Sequence, residues 1–279
     1  MRVSFQGETG AFSEEAVLAF FEDEDVELVP LPTFDEVFAS LDEGDVDRAV
    51  VPIENSLHGS VHANYDHLRE HAVHIVGELK LRIVHQLMGI PGARLEEIEK
   101  VYSHPQAIGQ CQEFLRERLG EAEAIAAYDT AGAAKMVAEE GASTVAAIAS
   151  EAAAREYGLE IFERGIESNH ENYTRFLVLA AEPKFPDADV PAKTSIVYAM
   201  KENVPGALFK SLAVFALREI DLFKIESRPL VGSPWAYIFY LDIEGSVEEE
   251  RVQRALDHLT EITAYLDVLG SYPEGSVAE

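Results

Sequence analysis

Two hydrophobic periods alternate along the first 180 residues. Short apolar runs closed by turn residues read as buried strands at Val3–Phe5, Val26–Leu31 and Arg48–Ile53. Each is followed by a helical pattern: one from Ser13, one capped by Thr33 and one near Ser56. A second series places strands near Val73–Met88, Val101–Tyr102, Ala124–Tyr128 and Thr144–Ile148, with helices after Pro105, Thr130 and Ser150. This alternation predicts an α/β fold. Two series imply two lobes, the first at about residues 1–75 and 168–182 and the second at about 76–167, with a strand at Phe176–Leu179 returning the chain to lobe one. Three prolines between Pro183 and Pro191 read as a linker. Beyond it the pattern runs strand (Ser195–Met200), helix (Pro205–Arg218), strand (Leu222–Pro229), strand (Ala236–Ile243), helix (Val247–Thr260), strand (Tyr265–Leu269). That βαββαβ order, over about residues 193–270, is ferredoxin-like. The last nine residues read as a frayed tail.

Composition narrows the function. With 279 residues and 47% hydrophobic content, the chain can bury a sizeable core. No apolar run approaches about 18 residues, and no apolar signal region precedes the first strand, so the cytoplasm is the expected compartment. Cys111 is the only cysteine, which excludes an internal disulfide and a cysteine-rich metal site and reads as a small buried hydrophobe. The net charge of −29, from 51 acidic and 22 basic residues, argues against nucleic acid or an anionic membrane as partner. Acids are scattered, at Glu22–Asp25, Glu96–Glu99 and Glu248–Glu250 among others, so they do not form one disordered tail. Such a surface suits a halophile, since the Debye length is about 3 Å at 1 M salt. The thermal midpoint is therefore expected to rise between dilute buffer and molar KCl; an unchanged midpoint would contradict a halophilic source.

Candidate chemistry sits at four strand-to-helix junctions: Gly7–Ser13, Pro52–Ser56, Ser103–Gln106 and Asp129–Ala134. Each offers backbone N–H groups, a small polar side chain and the positive end of a helix dipole. One such cap is ordinary in any α/β protein. Four of them at strand carboxyl ends point to a small anionic ligand held between two lobes. The stretch S-N-H-E-N-Y-T-R-F-L-V-L, from Ser168 to Leu179, would bring Asn172, Thr174 and Arg175 to the mouth of that cleft. Arg175 could grip a carboxylate through two parallel hydrogen bonds, or pair with a surface acid while Thr174 simply favours a strand. Glu54, His58 and His62 are four apart, a spacing that metals use on helices. Solvated histidines are the better reading, and no metal is expected.

Six ordered motifs carry a resemblance: G-x-x-G-A-F-S-E-E-A (Gly7–Ala16), V-P-I-E-N-S-x-x-G-S-V (Val51–Val61), S-H-P-Q-A-I-G-Q-C (Ser103–Cys111), D-T-A-G-A-A (Asp129–Ala134), A-A-I-A-S-E-A-A-A (Ala146–Ala154) and N-x-T-R-F (Asn172–Phe176). In order, they resemble the motifs of the prephenate dehydratases. V-P-G-A-L-F (Val204–Phe209) and I-E-S-R-P (Ile225–Pro229) resemble the phenylalanine-binding motifs of an ACT regulatory module. The resemblance implies a two-lobed catalytic domain similar to type II periplasmic binding proteins, at about residues 1–182, with a carboxy-terminal ACT domain and assembly as a homodimer or homotetramer. It implies a cofactor-free lyase that converts prephenate to phenylpyruvate. Thr174 would donate a hydrogen bond at the chemical step and Arg175 would hold a carboxylate. Asn55, Ser56, Gln106, Thr130 and Ala131 would line the pocket, while His104 either supplies a proton or orients the helix start. L-phenylalanine would inhibit through Asn203, Gly206, Ala207, Leu208, Glu226, Ser227 and Arg228, at an interface between two chains. The first motif departs from the common G-P-x-G-T-F-T and is closer to a variant found in plant arogenate dehydratases, so an arogenate dehydratase is the alternative. A non-catalytic small-anion sensor of the same fold is the third reading; the N-x-T-R-F motif and the missing secretion signal count against it.

Overall fold

The computed structural model describes residues 1–230 and 237–278. They form two compact units, one of Met1–Asn64, Leu79–Phe176 and Val277–Glu279, the other of Tyr65–Glu78 and Leu177–Ser276. The proline-rich stretch thus lies inside the second unit. That unit also takes in Tyr65–Glu78, because the Tyr65 carbonyl accepts the Tyr240 hydroxyl (3.0 Å) and Glu78 pairs with Lys193 (2.6 Å).

In the first unit, β1 (Arg2–Gln6) leads through α1 (Phe12–Phe20) to β2 (Glu27–Leu31), and α2 (Phe34–Asp42) leads on to β3 (Arg48–Asn55). All three strands are parallel. Thr33 and Glu36 form a reciprocal capping box that fixes the start of α2. Ser13 does not open α1. The extended residue before that helix is Ala11, and the Glu14 carboxylate accepts the Gly10 amide (2.9 Å). The helix expected near Ser56 also starts later: β3 turns into β4 (Gly59–Ser60), and α3 covers His62–Glu70. The cause is local, since the Asn55 side-chain oxygen accepts the amides of Leu57 (3.0 Å) and His58 (3.1 Å) and sets a turn there. Glu54 and His58 therefore precede α3 and share no helix face with His62.

The apolar stretch Val73–Met88 is two strands, not one. β5 (His74–Arg82) belongs to the first sheet, in the order β5, a returning strand, β3, β1, β2, while β6 (Gln86–Gly89) belongs to a second sheet. The second sheet adds β7 (Lys100–Ser103), β8 (Glu123–Ala126), β9 (Val145–Ala149) and β10 (Glu160–Arg164), the last not foreseen, in the order β10, β6, β9, β7, β8. Its helices are α4 (Pro105–Gln110), α5 (Gln112–Arg118), α6 (Thr130–Glu140) and α7 (Glu151–Glu156). Alanines at 131, 133, 134, 147, 149 and 153 let α6 and α7 pack closely on β9. The returning strand is β11 (Tyr173–Ala180).

The crossing segments bind each other, Ile83 N–H to the Asn172 carbonyl (2.8 Å) and Ile166 N–H to the His85 carbonyl (3.0 Å). The β1–α1 loop spans from the first sheet to the second: Ser150 donates to the Gly10 carbonyl (2.6 Å) and Tyr157 to the Thr9 carbonyl (2.9 Å). Gly10 has φ +86°, and a Cβ there would lie 2.6 Å from the Ala153 Cα, so only glycine fits this approach.

The second unit carries β12 (Ala192–Met200), α8 (Ala207–Ala216), β13 (Leu222–Pro229), β14 (Tyr237–Glu244), α9 (Glu250–Ile262) and β15 (Thr263–Pro273). The sheet is antiparallel in the order β13, β14, β12, β15, which is the expected βαββαβ arrangement. Ala236, expected to open the third strand, lies outside the described residues. Both helices bury one stripe, Val214, Phe215, Val252, Ala255 and Leu259, against Ile196, Tyr198, Leu241 and Ile243. Among the described residues the supposed tail is ordered. Ser271 and Tyr272 are buried in β15, and β16 (Val277–Ala278) pairs in parallel with Lys80 and Leu81 of β5. Among the described residues no helix is long and apolar enough to cross a membrane.

Candidate active site

The first unit gathers a chain of amides around Thr174. Asn55 ends β3 and Thr174 lies near the start of β11, which follows it in the sheet, so their side chains meet although 119 residues separate them. Asn55 Nδ2 donates to Thr174 Oγ1 (3.0 Å), to Asn172 Oδ1 (2.9 Å) and to the Tyr173 carbonyl (3.3 Å). Asn172 Nδ2 donates in turn to Gln110 Oε1 (3.1 Å), and Gln110 Nε2 lies 3.2 Å from His58 Nδ1.

The polarity of this chain is fixed at one end. Asn55 Oδ1 faces two backbone N–H groups, those of Leu57 and His58, which can only donate. Its Nδ2 must therefore face Asn172 and Thr174. It follows that Thr174 Oγ1 accepts from Asn55, which directs its own O–H elsewhere, and that Asn172 presents its N–H groups to Gln110. Thr174 is 9% exposed and Asn172 fully buried, so these bonds compete little with water.

Other expected site residues are placed differently. Ser56 does not line a pocket as a donor: its hydroxyl donates to the Glu171 carbonyl (2.8 Å) and accepts the Tyr173 amide (2.9 Å), clamping the entry to β11. Arg175 follows Thr174 on an extended strand, so its Cβ leaves the opposite face of the sheet, and it is half-buried there. His104 is the N-cap of α4, its Nδ1 accepting the Gln106 amide (3.3 Å), with Pro105 following. Burial lowers its pKa from the ordinary histidine value, opposed by the nearby Asp129 carboxylate. That geometry favours the orienting role. Because burial lowers its pKa, the ring is protonated less than an ordinary histidine across pH 6.5–8, so the activity ratio of His104→Asn to the parent is expected to vary little over that range. A ratio that drifts with pH would assign His104 a titrating role.

Asp129 caps α6 through the Gly132 amide, and burial raises its pKa against the pull of that bond. Thr130 and the fully buried Ala131 head the first turn, where helical N–H groups lack intrahelical acceptors. Beside them Glu8, from the β1–α1 loop, accepts the Tyr128 hydroxyl (2.9 Å) and pairs with Lys135 (3.0 Å). Glu8 and Gln110 escaped the sequence reading. Gln110 alone had a local signal, because it follows Gln106 by four on one helix face. Cys111 is buried, and burial raises its thiol pKa far above the ordinary value, so it is no nucleophile at neutral pH.

In the second unit, Gly206 stands before α8 with φ +81°, and Ala207 and Leu208 begin the helix, Leu208 at the surface. Asn203 lies in the loop before them. Strand β13 alternates in exposure, Ser227 outward and Glu226 and Arg228 half-buried. Glu226 approaches Lys224 (3.9 Å) and Arg228 pairs with Asp66 (2.9 Å).

Comparison with known proteins decides the family. The prephenate dehydratase family model matches residues 3–184, well over half of the chain. The chain belongs to the prephenate dehydratase family. Among curated relatives of this family member, arogenate dehydratase 2 of Petunia hybrida is 47% identical, covering 99% of this chain and 72% of its own. Arogenate dehydratase/prephenate dehydratase 2, chloroplastic, of Arabidopsis thaliana is 48% identical, covering 98% of this chain and 73% of its own. Among solved structures, prephenate dehydratase from Arthrobacter aurescens in complex with L-Phe aligns at TM-score 0.91 with 32% identity, over 98% of this chain and 90% of that one. A protein described as a quorum quenching acylase, GqqA, aligns at TM-score 0.88 with 35% identity, over 98% of both chains.

Proposed function

We propose that the chain is a hydro-lyase that converts prephenate to phenylpyruvate, and that L-phenylalanine inhibits it. The observation that carries this reading is the Asn55 amide donating to Thr174 Oγ1, which leaves the threonine hydrogen to be given to a substrate. In the reaction, the C–C bond to the ring carboxylate breaks and carbon dioxide leaves. Its electron pair completes the aromatic ring as the C–O bond to the ring hydroxyl breaks. The leaving oxygen needs one proton to depart as water, and no redox partner is involved. Thr174 supplies a hydrogen bond that strengthens as charge builds on that oxygen. The N–H groups at the starts of α4 and α6 offer a dianion hydrogen-bond donors and the positive ends of two helix dipoles.

The names of the plant relatives favour a second substrate, arogenate, which gives phenylalanine directly. The test offers prephenate and arogenate separately to the purified protein and follows phenylpyruvate and phenylalanine. Product from prephenate at the greater kcat/KM supports the main reading, greater efficiency with arogenate replaces it by the second, and no product from either overturns both. An acylase reading lacks support at Thr174, because its described partner is an amide, which cannot take a proton as a general base must.

The proposed domains are a catalytic one at about residues 1–182 and an ACT one at about 193–270, with the effector held between two chains of a homodimer or homotetramer. The A. aurescens complex with L-Phe supports the effector. Glu226→Gln is expected to raise the L-phenylalanine concentration for half-inhibition about tenfold or more, since hydrogen bonds to charged groups contribute about 1.5–3 kcal/mol. An unchanged response would move the amino group's partner elsewhere. The cytoplasm remains the proposed compartment.

A further inference from the structure

His85 is 2% exposed, lies in the crossing segment between β5 and β6, and is not among the residues given a role above. Its Nε2 is 2.6 Å from Gln110 Oε1. Its backbone N–H donates to the buried Glu167 carboxylate (2.9 Å), and its ring meets the edge of Phe12 at 5.5 Å between centroids. His85 Nδ1 is buried with no hydrogen-bond partner.

We propose that His85 is a positioning residue of the Thr174 site, acting through Gln110 as a neutral imidazole with its proton on Nε2. Two independent observations lead there. The Leu57 and His58 amides fix Asn55, Asn55 fixes Asn172, and Asn172 makes Gln110 Oε1 an acceptor, so the nitrogen facing that oxygen must donate. The partnerless Nδ1 agrees, because a bare lone pair is the cheaper group to bury unsatisfied than an N–H. Burial lowers the pKa of the ring, against the pull of Gln110 and Glu167, which favours the neutral form. With Asn172 and His85 both donating to Oε1, the Gln110 carbonyl is locked inward and its N–H groups turn towards His58. Rotating that amide would set donor against donor at Asn172 and at His85. The His85 proton thus holds the last link of the chain that orients Thr174.

This inference rests on the dehydratase reading for its kinetic test alone. His85→Met, which keeps volume and removes the donor, should lower kcat about tenfold or more while KM changes less than about threefold. His85→Gln, which can return an N–H to the same place, should recover most of that loss. In a Gln110→Met background, His85→Met should have no further effect on kcat. Equal losses in both backgrounds, or no recovery with glutamine, would overturn the proposal. Nitrogen-15 NMR of the unaltered protein, labelled at histidine, tests the tautomer without any variant. Protonated Nε2 at His85 is expected, and protonated Nδ1 would overturn the proposal even if every variant misfolded. Absence of turnover in the parent would count against the dehydratase reading and leave the NMR result to decide on His85.

Discussion

Thr174→Val is expected to lower kcat by about 10²- to 10³-fold, roughly 3–4 kcal/mol of transition-state stabilisation, with a much smaller change in KM. Valine keeps the shape at a position only 9% exposed, so the loss reports the hydroxyl and not a cavity. The neighbouring amide survives the change. Asn55 Nδ2 has two hydrogens and three acceptors within 3.3 Å, and removing Thr174 Oγ1 still leaves Asn172 Oδ1 and the Tyr173 carbonyl. Thr174→Ser restores the donor without the methyl that restricts its rotamer, so turnover within about tenfold of the parent is expected. Stopped kinetics on both variants give kcat and KM separately. A valine variant with near-parental kcat would remove the hydroxyl from the chemical step, and an equally poor serine variant would show that shape, not the donor, had been lost.

The second large effect concerns stability. Lys193 and Glu78 pair at 2.6 Å with side chains 4% and 0% exposed, and Glu78 also accepts the Gly275 amide at 3.0 Å. Lys193 Nζ lies 4.6 Å from the centre of the Phe223 ring, so its charge has a second favourable neighbour. Lys193→Met removes the cation and leaves the Glu78 carboxylate in the interior without it. Breaking a buried pair from one side typically costs about 3–5 kcal/mol, which for a chain of this size lowers the melting midpoint by roughly 6–20 °C. Replacing both partners, Lys193→Met with Glu78→Leu, should recover much of the loss, because no charge is then left unpaired. Calorimetry on the two variants separates these outcomes. A single variant as stable as the parent would mean that water reaches Glu78.

What the sequence made legible was local. The helix capped by Thr33 and most of the apolar runs are read within a few residues, and the strands and helices they mark lie where they were expected except near Ser13, near Ser56 and between Val73 and Met88. The break between β5 and β6 was hidden because Ile83, Val84 and His85 are neither glycine nor proline, and an apolar run says nothing about which sheet each half joins. The ordered tail was invisible for a related reason: two residues become a strand only because β5 offers them an edge. At the site, Asn55 and Thr174 were each named by motif, without being paired. The reason they act together, an amide whose orientation is set by the turn after β3, depends on contacts 117 and 119 residues apart. Ser56 was misplaced because a serine after a strand reads as a helix cap, whereas here its hydroxyl is used by the backbone of Tyr173, which opens β11, and of Glu171 two residues earlier. Arg175 illustrates the same limit, since adjacency in sequence places two strand residues on opposite faces.

The central claim is that Thr174 donates a hydrogen bond to the oxygen that leaves the ring. A crystal structure of the protein with a stable dicarboxylate analogue of prephenate that keeps the ring hydroxyl tests it most directly. The account predicts Thr174 Oγ1 within about 2.6–3.2 Å of that hydroxyl, with Asn55 Nδ2 still bound to Oγ1. An analogue bound with its hydroxyl against any other group, and Thr174 beyond hydrogen-bond reach, would contradict it.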